Sequence, residues 1–358
     1  MERKKIGVFS VMKDEYNVIE FMEHYYELGF EYIVIYDDNS LVPIQDVIGN
    51  RFKEKYLILD KKSFPEIEYY LSNSTSKSIW DISIEFHESL VKNECKHNIY
   101  KETDYKNHSI FTFFWNKYFQ TKLSSLMEYC FFIDGDEYLY IKYNKKIQDI
   151  FDLYMPFDQL KINWLFFGSN DKGLKYYTEV KKRIIKSSKH FNKHVKSLFK
   201  LDSVISMPTT HAAQVNGVNK NILNEISILP NHPFEDKIVE IEYWEVDIYL
   251  AHYHIKSLQD FFLRRFCRMT HNTYALFGTT DKDQIQKWVN YANNNYDKII
   301  DYMDKKNNNE KIDNINLEYI DQINCILNYI NTEVMPYTEK NLNLCSCLQD
   351  DVDNEHKK

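Results

Sequence analysis

Asp134-Gly135-Asp136-Glu137 follows the apolar run Tyr129-Cys130-Phe131-Phe132-Ile133 without a spacer. Two carboxylates at i and i+2, on a chain bent by glycine, point the same way from a turn. Hard oxygen donors of this kind hold Mg²⁺ or Mn²⁺ and leave the remaining positions to water and phosphate. Such an ion counters the charge of a diphosphate as its bond to a sugar breaks. A solvated acidic turn uses the same letters, because Asp-Gly is a common hairpin signal. The buried strand in front favours chemistry, since it would hold the acids at the rim of a sheet. An exposed turn carboxylate adds little to core packing, so replacing Asp136 by Ala is expected to stop the chemistry and spare the fold.

Two more groups carry chemical potential. Asp37-Asp38-Asn39-Ser40 ends a second apolar run. Its carboxylates can accept hydrogen bonds from ribose hydroxyls or a base N–H, or build an Asx turn on themselves. The residues alone do not separate these readings. In Ala251-His252-Tyr253-His254-Ile255-Lys256-Ser257, a strand would place His252 and His254 on one face, with the charge of Lys256 beside them. They could serve as a metal ligand, a proton acceptor or a phosphate contact. His190 and His194 are four apart, but Phe191 stands where H-E-x-x-H needs its glutamate, which argues against a metalloprotease. The basic stretch 181–200 is expected to be a solvated loop in an acidic chain.

The elements that must position these residues follow from periodicity. Residues 5–12 read as a buried strand and 15–28 as a helix closed by Gly29 at C′, and 31–36 read as a second strand. Strand–helix–strand at this length is one βαβ unit, which wants a parallel sheet with ligands at its carboxyl rim. Further strands are expected at 56–59, 129–133, 158–167, 196–201 and 246–254, and helices at 109–126, 257–273, 282–303 and 317–334. Neither G-x-G-x-x-G nor G-x-x-x-x-G-K-[ST] occurs, which counts against a dinucleotide-binding dehydrogenase and a P-loop NTPase.

Composition sets the bounds. The 358 residues hold 45 Lys+Arg against 53 Asp+Glu, a net charge of −8, so a nucleic-acid partner is not expected. Apolar residues at 44% and aromatics at 16% are ample for a core, which excludes a wholly disordered chain. No apolar run approaches the ~18–20 residues of a membrane span, and the first residues lack a secretory apolar core. A cytoplasmic protein is therefore expected. The six cysteines read as free thiols, and Cys345 and Cys347 alone make a poor zinc half-site.

Taken in order, these segments resemble GT-A glycosyltransferases of the family-2-like and family-92-like groups. The likeness is carried by Lys13-Asp14-Glu15, by Phe21, His24-Tyr25 and Gly29, and by Ile35 to Ser40. It continues through Phe132-Ile133-Asp134-Gly135-Asp136-Glu137-Tyr138 (the DxD motif), Trp164 to Ser169, Lys196 to Lys200 with His211, and His252 to Ser257. It covers about three quarters of the chain, residues 6–268. Two departures stand out: Asp14 replaces a common Asn, and the hydrophobic anchor of many relatives is not seen. The resemblance implies an α/β fold of GT-A type, with one mixed, mainly parallel sheet flanked by helices. It places the transferase domain at residues 1–275, with a helical C-terminal extension at 276–340 and a flexible tail at 341–358.

The implied activity is an inverting, metal-dependent glycosyltransferase. It would move a sugar from a nucleotide-sugar donor, a UDP-sugar first among them, to a hydroxyl on a glycan, protein or lipid. Lys13, Glu15, Asp37 and Asp38 would line the nucleoside pocket. Asp134, Asp136 and His252 would hold Mn²⁺ or Mg²⁺, and Asp134, His254 and Lys256 would face the diphosphate. Inversion needs a base for the acceptor hydroxyl; Asp171 is the first choice, with His211 and Asp202 competing. The alternatives are a metal-dependent nucleotide-sugar phosphohydrolase, with water as acceptor, and an inactive carbohydrate-binding relative.

Overall fold

The computed structural model describes residues 5–15, 17–40, 42–53, 55–65, 67–68, 79, 114–167, 180–183, 187–227 and 232–253. Chain contacts divide it into two compact units, residues 1–165 with 190–252, and residues 166–189 with 253–358. The expected C-terminal helices and the boundaries at 275 and 340 lie outside the described residues. No helix among the described residues is long and apolar enough to cross a membrane.

The first unit is built on a mixed α/β sheet of nine strands, most of whose first half is parallel. β1 (Ile6–Met12) is buried along its whole length, because it pairs in parallel with β2 (Tyr32–Asp37) on one side and β4 (Tyr129–Phe132) on the other. A strand enclosed in this way must be apolar throughout rather than alternating. β2 continues in parallel to β3 (Lys55–Leu59). Beyond β4 come β7 (Val195–Lys200), antiparallel to it, then β6 (Gln159–Phe166), β11 (Ile248–His252) and β5 (Glu137–Ile141). The short β10 (Asn219–Lys220) lies along β6, and β8 (Val204–Ser206) pairs with β9 (Gln214–Val215) in a separate ribbon.

Helix α1 (Val18–Glu27) buries Val18, Phe21, Met22 and Tyr25, spaced at three and four residues. It ends in a Schellman motif: Gly29 N–H donates to the Tyr26 carbonyl and Phe30 N–H to the Tyr25 carbonyl, with Gly29 at φ +89°. Only glycine takes that conformation without steric cost. Short α2 (Ile44–Ile48) follows β2, and α3 (Gln120–Ser124) continues a π-type turn over Trp115–Phe119. Trp115, Phe119, Phe9, Phe132 and Phe199 interlock in the core on that side. Helix α4 (Ile147–Tyr154) buries Ile147, Ile150, Phe151 and Tyr154, a helical pattern absent from the elements expected above.

The end of the stretch 181–200 is not a solvated loop: 195–200, where a strand is also expected, form β7, in which Val195 to Phe199 are all buried and Lys196 is wholly enclosed. Pairing with β4 and β6 on its two sides outweighs the polarity of its lysines. In the second unit, the described residues include α5 (Val180–Arg183), a bridge between Phe167 and Ser187, and Phe167 and Tyr253 rings 4.8 Å apart.

Candidate functional site

The carboxyl ends of β1, β2 and β4 share one rim of the sheet. β7 runs antiparallel to β4, with Phe131 opposite Leu198, so its first residues, Val195 and Lys196, return to that rim. β6 runs antiparallel to β7 and brings Trp164 there. β11 pairs with β5 so that His252 lies opposite Glu137. Open α/β sheets bind ligands at such a rim.

The turn between β4 and β5 is closed by Glu137 N–H donating to the Asp134 carbonyl at 3.1 Å. Glu137 also reaches back, its Oε2 accepting the Asp134 N–H at 2.8 Å. Gly135 is closely approached: a Cβ there would lie 3.0 Å from Cγ of Glu15 and 3.3 Å from Cε of Met12. The strand that follows sits at the sheet's end and is held from its open side by α1. Tyr25 hydroxyl donates to the Glu137 carbonyl (2.9 Å) and accepts the Leu139 N–H (3.1 Å), while His24 Nε2 lies 2.7 Å from the Leu139 carbonyl. Two side chains thus do the work of a neighbouring strand, the usual remedy for an open edge being cover.

The two acids of the turn have different partners. Asp134 keeps 39% of its side chain exposed, and its Oδ2 accepts from Lys196 Nζ at 2.9 Å. Asp136 is 2% exposed, and its Oδ2 lies 3.5 Å from His252 Nε2. The expectation of an exposed Asp136 is therefore corrected: the approach of β11 to β5 encloses it, so Ala at this position would leave a buried imidazole facing a void. Lys196 Nζ also donates to the Thr210 carbonyl (3.2 Å) and lies 3.7 Å from Glu137 Oε2. Burial by itself would lower the Lys196 pKa, but Asp134 and then Glu137 outweigh it and hold the ammonium charged. Glu137 is fully enclosed, and burial pushes its carboxyl well above the usual range, against the opposing pull of Lys196.

Trp164 is the hub of a ring cluster, with centroids 4.2 Å from His252, 5.0 Å from His194 and 5.2 Å from His211. His211 comes from a long connection with little regular structure. It is pinned by Ser197 Oγ donating to its carbonyl at 2.9 Å, by its Nδ1 against the Val195 carbonyl at 2.9 Å, and by Ala213 N–H on Gln159 Oε1 at 2.8 Å. Burial, and then the charge of Lys196, lower the His211 pKa to about 3. Burial, then Lys193, lower that of His194 to about 4. Both imidazoles are neutral at ordinary pH.

The second acidic corner is organised differently. Asp37 Oδ1 accepts the Ser40 N–H (3.0 Å) and Oδ2 the Ile44 N–H that opens α2 (2.8 Å). Asp38, 1% exposed, accepts the Ile79 N–H at 2.7 Å. Lys13, Asp14 and Glu15 lie between the two corners: Asp14 N–H donates to Ser40 Oγ at 2.9 Å, and Glu15 approaches Gly135. Asp14 and Asn39 both take positive φ, 51° and 63°, which bends the two loops tightly.

Of the expected site residues, the rim gathers Lys13, Glu15, Asp37, Asp38, Asp134, Asp136, His211 and His252. Asp202 lies elsewhere. It follows β7's carboxyl end, where Lys200 faces Tyr129, at the opposite rim, and so it leaves the competition for the base. Asp171, His254 and Lys256 lie outside the described residues. Among the described residues no group of three or more His, Cys, Asp or Glu side chains converges as a metal centre. From the sequence, Glu137 reads only as the end of the acidic turn and His194 only as half of a rejected metalloprotease pair, and neither is given a role in the site. Lys196 and Trp164 entered only through the resemblance, although a lysine inside an apolar strand is itself a signal.

No family model and no curated protein sequence matches this chain. Among solved structures, it aligns with the mannosyltransferase Ktr4p from S. cerevisiae in complex with GDP, at 14% identity over 45% of this chain and 40% of that one, TM-score 0.28. It also aligns with core-mannan synthase A (CmsA/Ktr4) from Aspergillus fumigatus in its Mn/GDP form, at 11% identity over 56% and 60%, TM-score 0.30. HddC from Yersinia pseudotuberculosis aligns at 9% identity over 61% and 89%, TM-score 0.27. The chain thus spans less than two thirds of the first two proteins, and at these TM-scores the likenesses add no weight to the geometry of the rim.

Proposed function

We propose that this chain is a metal-dependent glycosyltransferase that moves a sugar from a nucleotide-sugar donor, a UDP-sugar first among them, to a hydroxyl of a glycan, protein or lipid with inversion. The observation that carries the proposal is the meeting of Asp134 with Lys196 and of Asp136 with His252 at the carboxyl rim. The acids come from the turn between β4 and β5, the ammonium from β7 and the imidazole from β11.

The chemistry of these side chains suits a hard divalent cation, although among the described residues Asp134, Asp136 and His252 do not converge on one point. Two carboxylates suit Mn²⁺ or Mg²⁺, and an imidazole beside Asp136 favours Mn²⁺. Asp134, Asp136 and His252 would hold it, and when bound it would supply charge against a departing diphosphate. Lys13 and Glu15 bound the nucleoside side, with Asp37 and Asp38 shaping the loop beyond them. His254 and Lys256, which lie outside the described residues, would face the diphosphate as the resemblance implies.

The acceptor hydroxyl needs a proton acceptor. With Nδ1–H donated to the Val195 carbonyl, His211 keeps Nε2 as its acceptor nitrogen. Its pKa of about 3 leaves it little proton affinity. This favours Asp171 as the base and gives His211 the role of orienting the hydroxyl.

A thermal-shift screen of UDP-, GDP- and dTDP-sugars with Mn²⁺ tests the reading, because a ligand of the native state raises Tm. One donor is expected to raise Tm with Mn²⁺ and not with EDTA, and sugar transfer should follow the same pattern. The reading fails if no nucleoside diphosphate shifts Tm, or if transfer proceeds equally in EDTA.

A further inference from the structure

Lys196 is a costly residue for its position. It sits on a strand whose neighbours Val195, Ser197, Leu198 and Phe199 are all buried, and its own side chain is fully enclosed. Desolvating an ammonium costs several kcal/mol, and an apolar residue of similar length would fill the same space more cheaply. Its return is electrostatic. Two of its N–H bonds are donated, to Asp134 Oδ2 at 2.9 Å and to the Thr210 carbonyl at 3.2 Å, and Glu137 Oε2 lies at ion-pair distance, 3.7 Å. The face of Phe132 lies 5.6 Å from Nζ and closes the remaining side.

The order of these groups from solvent inward matters. Asp134 is partly exposed, while Lys196 and Glu137 behind it are both fully enclosed. A fixed positive charge therefore stands behind the carboxylate that faces the outside. It weakens that carboxylate's attraction for a bare cation and strengthens the rim's attraction for an anion, without having to touch either.

We infer that Lys196 is a built-in counter-cation, a positioning residue that tunes the acid turn to take a diphosphate together with its divalent cation rather than the cation alone. The inference rests on the nucleotide-sugar reading above and deepens it. Lys196 sets both the charge of the turn and the orientation of Asp134, leaving one carboxylate oxygen directed away from the ammonium.

The test uses the full chain and needs no turnover. Mn²⁺ binding is followed by the electron paramagnetic resonance of the free ion, and inorganic pyrophosphate binding in saturating Mn²⁺ by calorimetry. Lys196→Met should tighten Mn²⁺ about tenfold and weaken pyrophosphate about tenfold, the size expected for one charge across a partly screened site. A merely structural role would weaken both together, and joint weakening or no change in either overturns the inference. Should Lys196→Met not fold, Lys196→Met with Glu137→Gln removes the buried acid as well. The pyrophosphate loss should persist there; pyrophosphate binding equal to wild type overturns the inference. Lys196→Arg, which keeps the charge, should move neither affinity more than a few-fold. If the unmodified protein binds neither Mn²⁺ nor pyrophosphate, the reading of the site itself fails; unmodified binding with joint weakening in the variant removes only the role of Lys196.

Discussion

Two acidic corners stand at the same rim and use their carboxylates in opposite ways. At the end of β2, Asp37 and Asp38 accept backbone N–H groups of Ser40, Ile44 and Ile79. At the end of β4, Asp134 and Asp136 face the ammonium of Lys196 and the imidazole of His252. An N–H bonded to a carboxylate fastens a loop, and its loss is felt in stability. A carboxylate that faces a side-chain ammonium or imidazole fastens no loop backbone by that contact and can share an oxygen with a ligand. The kind of partner, more than the number of acids, separates a corner that builds the rim from one that can act at it.

This difference yields graded predictions. The largest effect is expected for Asp136→Asn, which keeps the shape of the side chain and removes its charge beside His252. Initial rates of transfer should fall about 10³-fold, the scale of losing one preorganised electrostatic group, with Tm within a few degrees of wild type. A variant that retained full rate would erase the contrast between the corners. Tyr25→Phe comes next. It deletes the hydroxyl that serves both Glu137 and Leu139 on the open side of β5, and urea unfolding should show a loss of about 1–3 kcal/mol for the buried groups left unmatched. Rates should fall less than in Asp136→Asn.

Asp37→Ala should cost about 1–2 kcal/mol by the same measurement, through the lost Ser40 and Ile44 bonds, and should change donor affinity less than it changes stability. A large loss of nucleotide binding without destabilisation would reverse the assignment and make Asp37 a direct contact. The smallest effect concerns pH. The lowered pKa values of His211, about 3, and His194, about 4, mean that the unfolded chain binds protons the folded chain refuses. Their contribution is complete above the ordinary imidazole value near 6.5 and is lost as pH falls toward the folded values. Tm should decline over that window, and His211→Gln should flatten part of the decline. Glu137, with its raised pKa, acts in the opposite sense, so the difference between the two proteins is the informative quantity.

Much of the scaffold was legible because its causes are local. The apolar runs of β1, β2 and β4, the three-and-four spacing of α1 and the glycine at its end each report a single element packing against the sheet. The Asp-Gly-Asp-Glu turn was legible for the same reason, its chemistry and its strand being adjacent in the chain. Helix α4 carries an equally clear pattern in Ile147, Ile150, Phe151 and Tyr154, although it is not among the expected elements. Strand β5 offered less. Its start is the acidic Glu137, whose buried side chain faces Lys196 while Tyr25 and His24 cover the strand's backbone, and nothing near it in the sequence announces either partner.

The amino-acid sequence by itself determined that acids end apolar strands, that a parallel βαβ unit opens the chain, and that histidines and lysines lie downstream in a strand-forming context. Tertiary structure alone decided their meaning. The antiparallel return of β7 carried Lys196 to Asp134 across a separation of 62 residues, and the pairing of β11 with β5 set His252 beside Asp136 and enclosed them both. Periodicity records which side of an element is buried. It holds no information about which charge waits on the neighbouring strand, because burial and Coulomb energy depend on distances that only the packed chain defines.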